Sequence, residues 1–514
     1  MSADSDRPDP RPASRWAQLR ARLAGLWAGV RRRFSVDLRA LAVMRMVLGA
    51  VIVGDLIHRA QHLRFFYTDE GVYPLAAFTS TYVKFNDLSL HALSGEAWVQ
   101  ASLFVLAGAL AVAFALGYRT RWTGLASFVL LVSLQARNPH VLNAGDRLLR
   151  ILLLVALVTP LGERWSLDAL RREDTRQTVA SPATAALLVQ PIVVFTANAI
   201  LKHPGDHWYA GDGLQIALAN DAVTLPLGKL LARQELVTTA LTYGWVGLLA
   251  GSSLLLLATT GRLRAAAALA YVGAFVGMMA TMAVGLFPLV LVAALVPFLT
   301  TPVWEAVTAR VPPRWRDRWP PPALVDPSSR PWLRDRLAAR LPVGDRGHVQ
   351  GGLARVGRRL CAAAGLALLA WMLVFSGAHV TDTDLPDAID DPNLDVQRWG
   401  VFAPDPATAY SWYETEAQLA DGRSVDAHDG GPLGFERPAH AGEAFETFRH
   451  RKYMGHVKDS EVLPGPYVDW ACQHAQQVVD GDVERVRLHR SYQPSPLDGT
   501  YEDPTRSVVA ERAC

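Results

Sequence analysis

A lysine at the end of a long apolar run occupies a position from which it could do acid–base chemistry. Lys202 follows residues 177–201, which contain no Asp, Glu, Lys or Arg. At the end of a membrane span, a lysine usually extends its amine to the solvated interface. A lysine kept from water can instead lose its proton and act as a base. From the residues alone, the interfacial position is the better interpretation.

The residues that follow this lysine, in the string KHPGDHWYAGD, are polar and aromatic. Asp206 and Trp208 fit either interpretation, as residues around a binding site or as an interfacial loop. His203 and His207 could bind a metal together with an aspartate, but one loop without fixed helical spacing is weak support. The chain has no CxxC pair and no histidine-rich tract, so we expect no metal site.

A second polar group occupies the string RNPHVLNAGDRLLR, residues 137–150. Asn143 and Asp146 are typical of a helix N-terminus, where their side chains accept hydrogen bonds from free backbone amides. A helix cap does not explain the arginines that follow. The alternative is a pocket in which a carboxylate pairs with guanidinium groups. Its predicted binding residues are Arg137, Asn138, Asn143, Asp146 and Arg150, with Asp206 and Trp208.

Two charged residues lie inside the first apolar run, where ionisable groups are costly. Arg45 and Asp55 are ten residues apart, which on a helix separates them by about 15 Å along the axis. They are therefore not expected to pair with each other. We predict that each bonds a neighbouring helix and has a structural role.

Membrane-spanning helices must hold these groups. Half of the 514 residues are hydrophobic, only 19% are charged, and residues 265–303 contain no charged side chain. A bilayer-spanning helix needs roughly 20 apolar residues. The sequence predicts an all-α polytopic membrane bundle of about nine transmembrane helices, with a small C-terminal extracytoplasmic β-rich domain. The predicted apolar runs are 38–57, 97–116, 122–136, 148–163, 181–201, 236–258, 263–283, 285–303 and 360–379.

The distribution of charge predicts the orientation. Residues 377–514 hold 12 Lys+Arg against 25 Asp+Glu, and the rest of the chain holds 39 against 23. The basic residues lie before the first run and in alternate connections, which the positive-inside rule places in the cytoplasm. We predict a multi-pass cell-membrane protein with a cytoplasmic N-terminus and an extracytoplasmic C-terminus. This pattern argues against nucleic-acid binding and indicates that the lipid bilayer is a partner.

Five segments follow from this pattern. They are a basic amphipathic N-terminus (1–37), a membrane domain (38–303), an Arg-rich cytoplasmic connector (304–359), a last transmembrane helix (360–379) and the C-terminal domain (380–514).

The C-terminal domain carries strand and cysteine signals. Alternating residues on both sides of Asp421-Gly422 predict a β-hairpin, and residues 483–492 predict another strand. Cys472 and Cys514 both lie in this region, and exported compartments oxidise thiols. We therefore predict a Cys472–Cys514 disulfide.

Several strings resemble the HTTM family, the membrane-domain family that includes vitamin K-dependent gamma-carboxylase. They are LAVMRMVLGAVIVGDLIHR with FFYTDEGVYP, RNPHVLNAGDRLLRILLLVALVTPLGERWSLDA, ILKHPGDHW, AVGLFPLVLVAALVPFL, RWGVFAPDP and WYETEAQLADGRSVDA. Together these cover roughly residues 38–303 and 398–427, in the order found in the family.

The resemblance to the carboxylase branch implies a mechanism. There, a lysine deprotonates a reduced quinone, oxygen converts the quinone to a stronger base, and a peptide glutamate is carboxylated. Lys202 lies in the matching lysine motif, which implies the catalytic role for it. Reduced menaquinone or a vitamin K-type quinone is the implied cofactor, and an exported peptide the implied partner. The chain departs from the branch at two places. The branch has a histidine soon after the central asparagine, where Ala144, Gly145 and Asp146 follow Asn143 here, and often a second histidine where this chain has Phe275.

Two hypotheses of different classes follow. In the first, the chain is a quinone-linked membrane enzyme that modifies an exported peptide with Lys202 as base. In the second, it is a non-catalytic membrane partner that binds lipid or peptide and recruits a secreted protein. A transporter is a weaker third interpretation, because the sequence shows no internal repeat.

Overall fold

The computed structural model describes residues 15–81, 89–171, 176–310, 351–390, 394–497 and 499–514. Most of the predicted connector 304–359 lies outside the described residues, as does the beginning of the N-terminal segment 1–37.

The chain is mostly helical, and hydrogen-bonding side chains begin several of the helices. Ser181 and Thr184 form a reciprocal cap at the start of α8, and Asp37 accepts the Arg39 amide at the start of α2. The α-helices are α1 Arg15–Arg33, α2 Leu38–Ala60, α3 Leu63–Tyr67, α4 Leu75–Ser80, α5 Ala97–Leu116, α6 Thr120–Arg137, α7 Ala144–Leu157, α8 Pro182–Lys202, α9 His207–Ala210, α10 Gly213–Ala219, α11 Pro226–Ala232, α12 Glu235–Ser253, α13 Gly261–Thr281, α14 Phe287–Leu295, α15 Thr301–Arg310, α16 Gly351–Thr381, α17 Ala441–Ala444, α18 Phe448–Val457 and α19 Pro464–Val478. Shorter 3₁₀ turns are Leu90–Ala92, Pro139–Val141, Leu167–Arg171 and Val296–Phe298, and Leu254–Ala258 is a π-helical turn.

Five described helices are long and apolar enough to cross a membrane, or six if one bent pair is a single span. The pair is Phe287–Phe298 and Thr301–Arg310, which meet at an angle of 100°. The predicted nine spans are therefore not confirmed. The fourth apolar run shows why, because its helix α7 has only 14 residues. Such a helix reaches about 21 Å, less than the ~30 Å hydrocarbon core. The five helices are Leu38–Ala60, Ala97–Leu116, Pro182–Lys202, Gly261–Thr281 and Arg355–Thr381.

The bundle has a buried centre and an apolar periphery. Most of α2 and α8 is buried inside the protein, whereas α5, α13 and α16 expose most of their apolar surface. The short helix α7 lies in the centre, with its leucines at positions 148, 149, 152 and 153 fully buried. An exposed apolar periphery is what a lipid environment requires.

The C-terminal domain contains one antiparallel sheet, in the strand order β4-β3-β5-β6. The predicted hairpin is confirmed, since Gly422 has a φ of 86° between two paired strands. Helix α19, which is not predicted from the sequence, packs against the sheet. A disulfide joins Cys472 of α19 to Cys514, which follows β6. The strands are β1 Ser35–Asp37, β2 Thr178–Ala180, β3 Ala409–Leu419, β4 Ser424–Asp426, β5 Val483–Pro494 and β6 Thr505–Ala513; β1 pairs with β2.

The C-terminal domain and the helical bundle share a hydrophobic core. Tyr453 of α18 is fully buried, its hydroxyl donates to the Val72 carbonyl at 2.7 Å, and its ring packs against Phe66. Val457 and Tyr467 belong to the same buried cluster as the bundle side chains. The domain therefore sits directly on the bundle and covers the ends of its helices.

Candidate functional site

Four charged side chains form a buried cluster where the bundle meets the C-terminal domain. Arg59 Nε lies 2.8 Å from Asp55 Oδ2, and Arg59 Nη2 lies 2.5 Å from Asp146 Oδ1. Arg449 Nη2 lies 2.5 Å from Asp55 Oδ1 and 3.1 Å from Asp146 Oδ1. No side chain in the cluster is more than 2% exposed. Two carboxylates and two guanidinium groups therefore compensate one another away from water.

Local structure explains the positions of the three charged residues of the cluster that belong to the helical bundle. Asp55 and Arg59 are four residues apart on α2, so they share one face of the helix. Asp146 belongs to a reciprocal cap at the start of α7. Its Oδ2 accepts from the Asn143 amide at 2.9 Å, while Asn143 Oδ1 accepts from the Asp146 amide at 3.2 Å. The cap fixes the Asp146 carboxylate, which then faces Arg59 and Arg449.

The arginines of the 137–150 string do not pair with this carboxylate. Arg147 Nη1 donates to the Arg398 carbonyl at 3.1 Å. Within the described part of the chain, the half-buried Arg150 side chain forms no hydrogen bond or ion pair. The guanidinium groups that Asp146 binds come instead from α2 and α18.

Arg137 and Asn138 hold the segment that follows α2. Arg137 Nη2 donates to the Tyr73 carbonyl at 2.9 Å, and Asn138 Nδ2 donates to the Phe66 carbonyl at 3.0 Å. The Arg137 guanidinium also faces the Tyr73 ring, 5.6 Å from its centroid. Burial lowers the pKa of the neighbouring His140 to about 4, so its ring is neutral at physiological pH.

Arg45 binds backbone carbonyls at the opposite end of α2. Its guanidinium donates to the carbonyls of Leu161 at 2.7 Å and Ala115 at 3.1 Å, and also to those of Arg164 and Trp165. Ala115 lies in the last turn of α5, and the other three acceptors follow α7. Arg45 therefore connects α2 to the C-terminal ends of these two helices. This arrangement serves the packing of the bundle.

Lys202, the last residue of α8, is held by a segment of the C-terminal region. Nζ donates to the carbonyls of Val401 at 2.8 Å and Phe402 at 2.5 Å, and it lies 3.8 Å from the centroid of the Trp208 ring. Asn198, one turn earlier, donates to the Val401 carbonyl at 2.9 Å. Lys202 is only 2% exposed, so its amine is buried under this segment and does not extend to solvent.

The loop after Lys202 is fixed by a carboxylate from the same segment. Asp405 Oδ2 accepts from the Asp206 amide and Oδ1 accepts from the His207 amide, both at 3.0 Å. Asp206 thus contributes its backbone N–H, and its side chain is exposed. The indole of Trp208 donates to the Phe402 carbonyl at 2.9 Å. Residues 401–405 therefore fix both the amine and the loop that covers it.

A cavity of about 620 Å³ opens beside the Lys202 amine. Helices α8, α10, α12, α13 and α14 contribute to its wall, together with residues 399–402. Of the described residues in this wall, Lys202 is the one charged side chain, and Asn198 is one of few polar groups. Most of the lining is aliphatic and aromatic. The aromatic members are Phe195, Trp208, Trp245, Phe275, Phe287, Trp399 and Phe402.

The turn at 143–146 lies behind one wall of this cavity. Asn143 Nδ2 donates to the Val284 carbonyl at 2.9 Å. A Cβ built on Gly145 would lie 2.5 Å from the backbone nitrogen of Phe287, which lines the cavity. Residues 398–402 link the two places, because Arg147 binds the carbonyl at 398 and Lys202 those at 401 and 402. The polar turn and the amine are thus joined through shared backbone, without a side-chain contact.

Four residues of these sites were not predicted from the sequence: Arg59, Asn198, Asp405 and Arg449. The first carried a usable signal, since Arg59 follows Asp55 by four residues and such pairs meet on a helix. Arg449 has no local signal, because its acidic partners lie hundreds of residues earlier in the chain.

The sequence matches the model of one membrane-domain family. A sequence model described as the HTTM domain matches residues 34–304, more than half of the chain. The chain belongs to the HTTM domain family. No curated protein and no solved structure matches it. The matched HTTM region contains Lys202, the helices around the cavity and three members of the charged cluster. Arg449 and residues 398–405 lie outside the HTTM region. The C-terminal domain therefore supplies the fourth member of the charged cluster and the backbone carbonyls that bind Lys202.

Proposed function

We propose that this HTTM protein is a membrane enzyme of the carboxylase-like branch, which binds a reduced quinone in the cavity beside Lys202. One observation carries the proposal: a single amine faces a mostly apolar cavity of about 620 Å³. Ligand cavities typically measure about 300–1,000 Å³, with few polar groups in an apolar wall. Aromatic rings such as Trp208 and Phe275 fit a flat ring system such as that of menaquinone or a vitamin K-type quinone.

An apolar cofactor would reach the cavity from the lipid. Part of the cavity wall is formed by exposed residues of α12 and α13, including Leu241, Gly244 and Gly277. A Cβ built on either glycine meets no atom within 4 Å, so the space beside both glycines is open. This open space at the exposed part of the wall supports entry from the side of the bundle.

Lys202 is suited to exchange a proton at Nζ. Its described hydrogen-bond acceptors are two backbone carbonyls, and no carboxylate among the described residues pairs with it. An ammonium carries three N–H donors and a neutral amine two, so both forms can keep these two bonds. Lys202 can therefore take up and release a proton without losing its position. A reduced quinone, when bound, supplies the reducing electrons and an acidic hydroxyl.

The protein partner in this proposal is an exported peptide. The acidic balance of residues 377–514 and the Arg-rich inner connections support an extracytoplasmic C-terminal domain. The Cys472–Cys514 disulfide agrees with an oxidising compartment. A peptide that approaches from outside would meet the C-terminal domain, whose residues 399–402 form part of the cavity wall.

The experiment is quinol turnover by the purified full chain in detergent, with reduced menaquinone or vitamin K in the presence of oxygen and epoxide as the product measured. Lys202→Ala should abolish turnover. Lys202→Arg keeps a cation and N–H donors for the carbonyls, but arginine does not give up its proton, so it should also be inactive. Lys458→Ala is the matched control, because Lys458 is partly exposed and lies outside the cavity wall.

One observation favours the second hypothesis, a non-catalytic membrane partner. The hydrogen bonds of Lys202 to Val401 and Phe402 also hold the C-terminal region on the bundle, which is a structural role. In that case Lys202→Arg would preserve every property of the wild type, and no epoxide would form with either protein. Equal turnover by wild type and Lys202→Arg would end the proposal that Lys202 is the base.

A further inference from the structure

Three side chains with metal-binding atoms meet at the junction between the bundle and the C-terminal domain. They are His62, just after α2, Glu446, just before α18, and His450 in the first turn of α18. Glu446 Oε2 lies 3.4 Å from His62 Nδ1 and 3.3 Å from His450 Nε2. All three ligand atoms lie within 4.8 Å of one another. None of these residues belongs to the charged cluster or to the cavity wall.

The two short separations match those between ligands of a tetrahedral metal ion. Zinc binds imidazole nitrogen and carboxylate oxygen at ~2.0–2.2 Å, and a tetrahedral angle then separates neighbouring ligand atoms by roughly 3.4 Å. The distances from Glu446 Oε2 to the two imidazole nitrogens fall at this value. One ion could therefore be bound with small adjustments of side chains. The Glu446 side chain is 70% exposed, which leaves room for a water as fourth ligand.

The orientation of His450 agrees with a ligand role. Its Nδ1 lies 2.9 Å from Thr447 Oγ1, the N-cap hydroxyl of α18. In the tautomer that carries its proton on Nδ1, the ring donates to this hydroxyl and the lone pair of Nε2 faces Glu446. Metal-binding histidines characteristically donate their other ring N–H in this way, which fixes the ring and its tautomer.

We propose that His62, Glu446 and His450 bind a divalent transition metal of the zinc class, and that the ion joins the C-terminal domain to the helical bundle. Two imidazoles and one carboxylate are ligands that zinc prefers. The ion would bridge two parts of the chain, since His62 belongs to the bundle and the other two ligands to the domain. Arg449 lies between Glu446 and His450, so the ion would also fix the turn that inserts Arg449 among the buried carboxylates.

The test is zinc binding by the purified full chain in detergent, first stripped of metal with a chelator. Isothermal titration with ZnCl₂ should give one site per chain. Glu446→Gln and His62→Ala should each weaken binding by at least about 10-fold, the loss that even outer-shell substitutions cause. Cobalt supplies a second readout, because Co²⁺ in a tetrahedral site absorbs visible light and the variants should lose this band.

His203→Ala is the matched control, since His203 is exposed and lies elsewhere on the protein. It should bind zinc as the wild type does. Glu446 is exposed, so Glu446→Gln should fold normally, and an unchanged elution volume in size-exclusion chromatography verifies this. Wild-type affinity in the correctly folded Glu446→Gln protein overturns the proposal. An equal loss in His203→Ala would assign zinc to another site and overturn it as well.

Discussion

Arg449 and Asp55 form a buried ion pair, with Nη2 2.5 Å from Oδ1, although 394 residues separate them along the chain. One residue belongs to a helix of the C-terminal domain and the other to the first long helix of the HTTM region. Asp146 and Arg59 complete the cluster, so a single guanidinium connects two bundle helices to the domain above them. The C-terminal domain is therefore structurally joined to the membrane domain.

Removal of this guanidinium should destabilise the protein strongly. Arg449→Met leaves two buried carboxylates with one arginine, and breaking a buried ion pair typically costs about 3–5 kcal/mol. We expect a lower thermal unfolding temperature for the detergent-solubilised protein, together with faster proteolysis of the C-terminal domain. Arg423→Ala is the control, because Arg423 is exposed in a surface pair. Equal unfolding temperatures for the two variants would show that the buried pair is not important for stability.

The opening between α12 and α13 should limit access to the cavity. Gly277→Leu places an apolar side chain at this opening, where the first added carbon meets no atom within 4 Å. The fold should therefore be preserved, while kcat/KM for a reduced quinone should fall by about 10-fold or about 1.4 kcal/mol. Gly108→Leu on α5 is the matched control, since its added carbon also meets nothing and Gly108 is outside the cavity wall. Unchanged turnover in Gly277→Leu would mean that the ligand enters elsewhere.

The disulfide should stabilise the C-terminal domain. Cys472 and Cys514 close a loop with a sequence separation of 42, for which chain entropy gives about 4 kcal/mol. Cys514→Ser should lower the unfolding temperature and expose β6 to protease. Cys361→Ser provides the comparison, because Cys361 is a free thiol in α16. If reduction of the wild-type protein leaves its unfolding temperature unchanged, the bond has no stabilising role.

Glu414 should make stability depend on pH. Burial in β3 raises the pKa of this carboxyl from 4.5 to about 7. Below the unfolded-state pKa of 4.5, Glu414 is protonated in both the folded and the unfolded states, so the free energy of unfolding is not reduced. As pH rises to about 7 the unfolded state ionises first, and stability falls by roughly 3 kcal/mol in total.

Glu414→Gln removes this titration. We expect the unfolding temperature of the variant to rise relative to that of the wild type as pH increases from 5 to 8. Thermal unfolding at a series of pH values measures this difference. If the unfolding temperatures of the two proteins depend on pH in the same way, the raised pKa of Glu414 is contradicted.

The orientation in the membrane can be measured with reporter fusions. Alkaline phosphatase fused after residue 514 should be active, because this enzyme needs an oxidising exterior to form its disulfides. A green fluorescent protein fused before residue 1 should fluoresce on the cytoplasmic side. The opposite pattern would reverse the topology that the basic connections predict.

The sequence alone determined the features that depend on neighbours along the chain. Apolar runs predicted where helices form, Asn143 and Asp146 indicated the cap at the start of α7, and Asp421-Gly422 indicated the hairpin. Each depends on backbone angles and on a period of two or 3.6 residues, which a short string fixes. The number of spans did not follow in the same way, because the apolar run at 148–163 contributes only to the 14-residue helix α7, which is buried in the bundle.

Only the tertiary structure decided which charged and polar groups meet. The string 137–150 indicated a carboxylate among guanidinium groups, yet Asp146 binds Arg59 and Arg449 and not the arginines beside it in sequence. Likewise, Lys202 marked the end of a span, but its carbonyl partners come from residues 401 and 402. A buried charge takes the partner that packing brings within about 3 Å, and packing is fixed by the whole core. No local pattern contains that information.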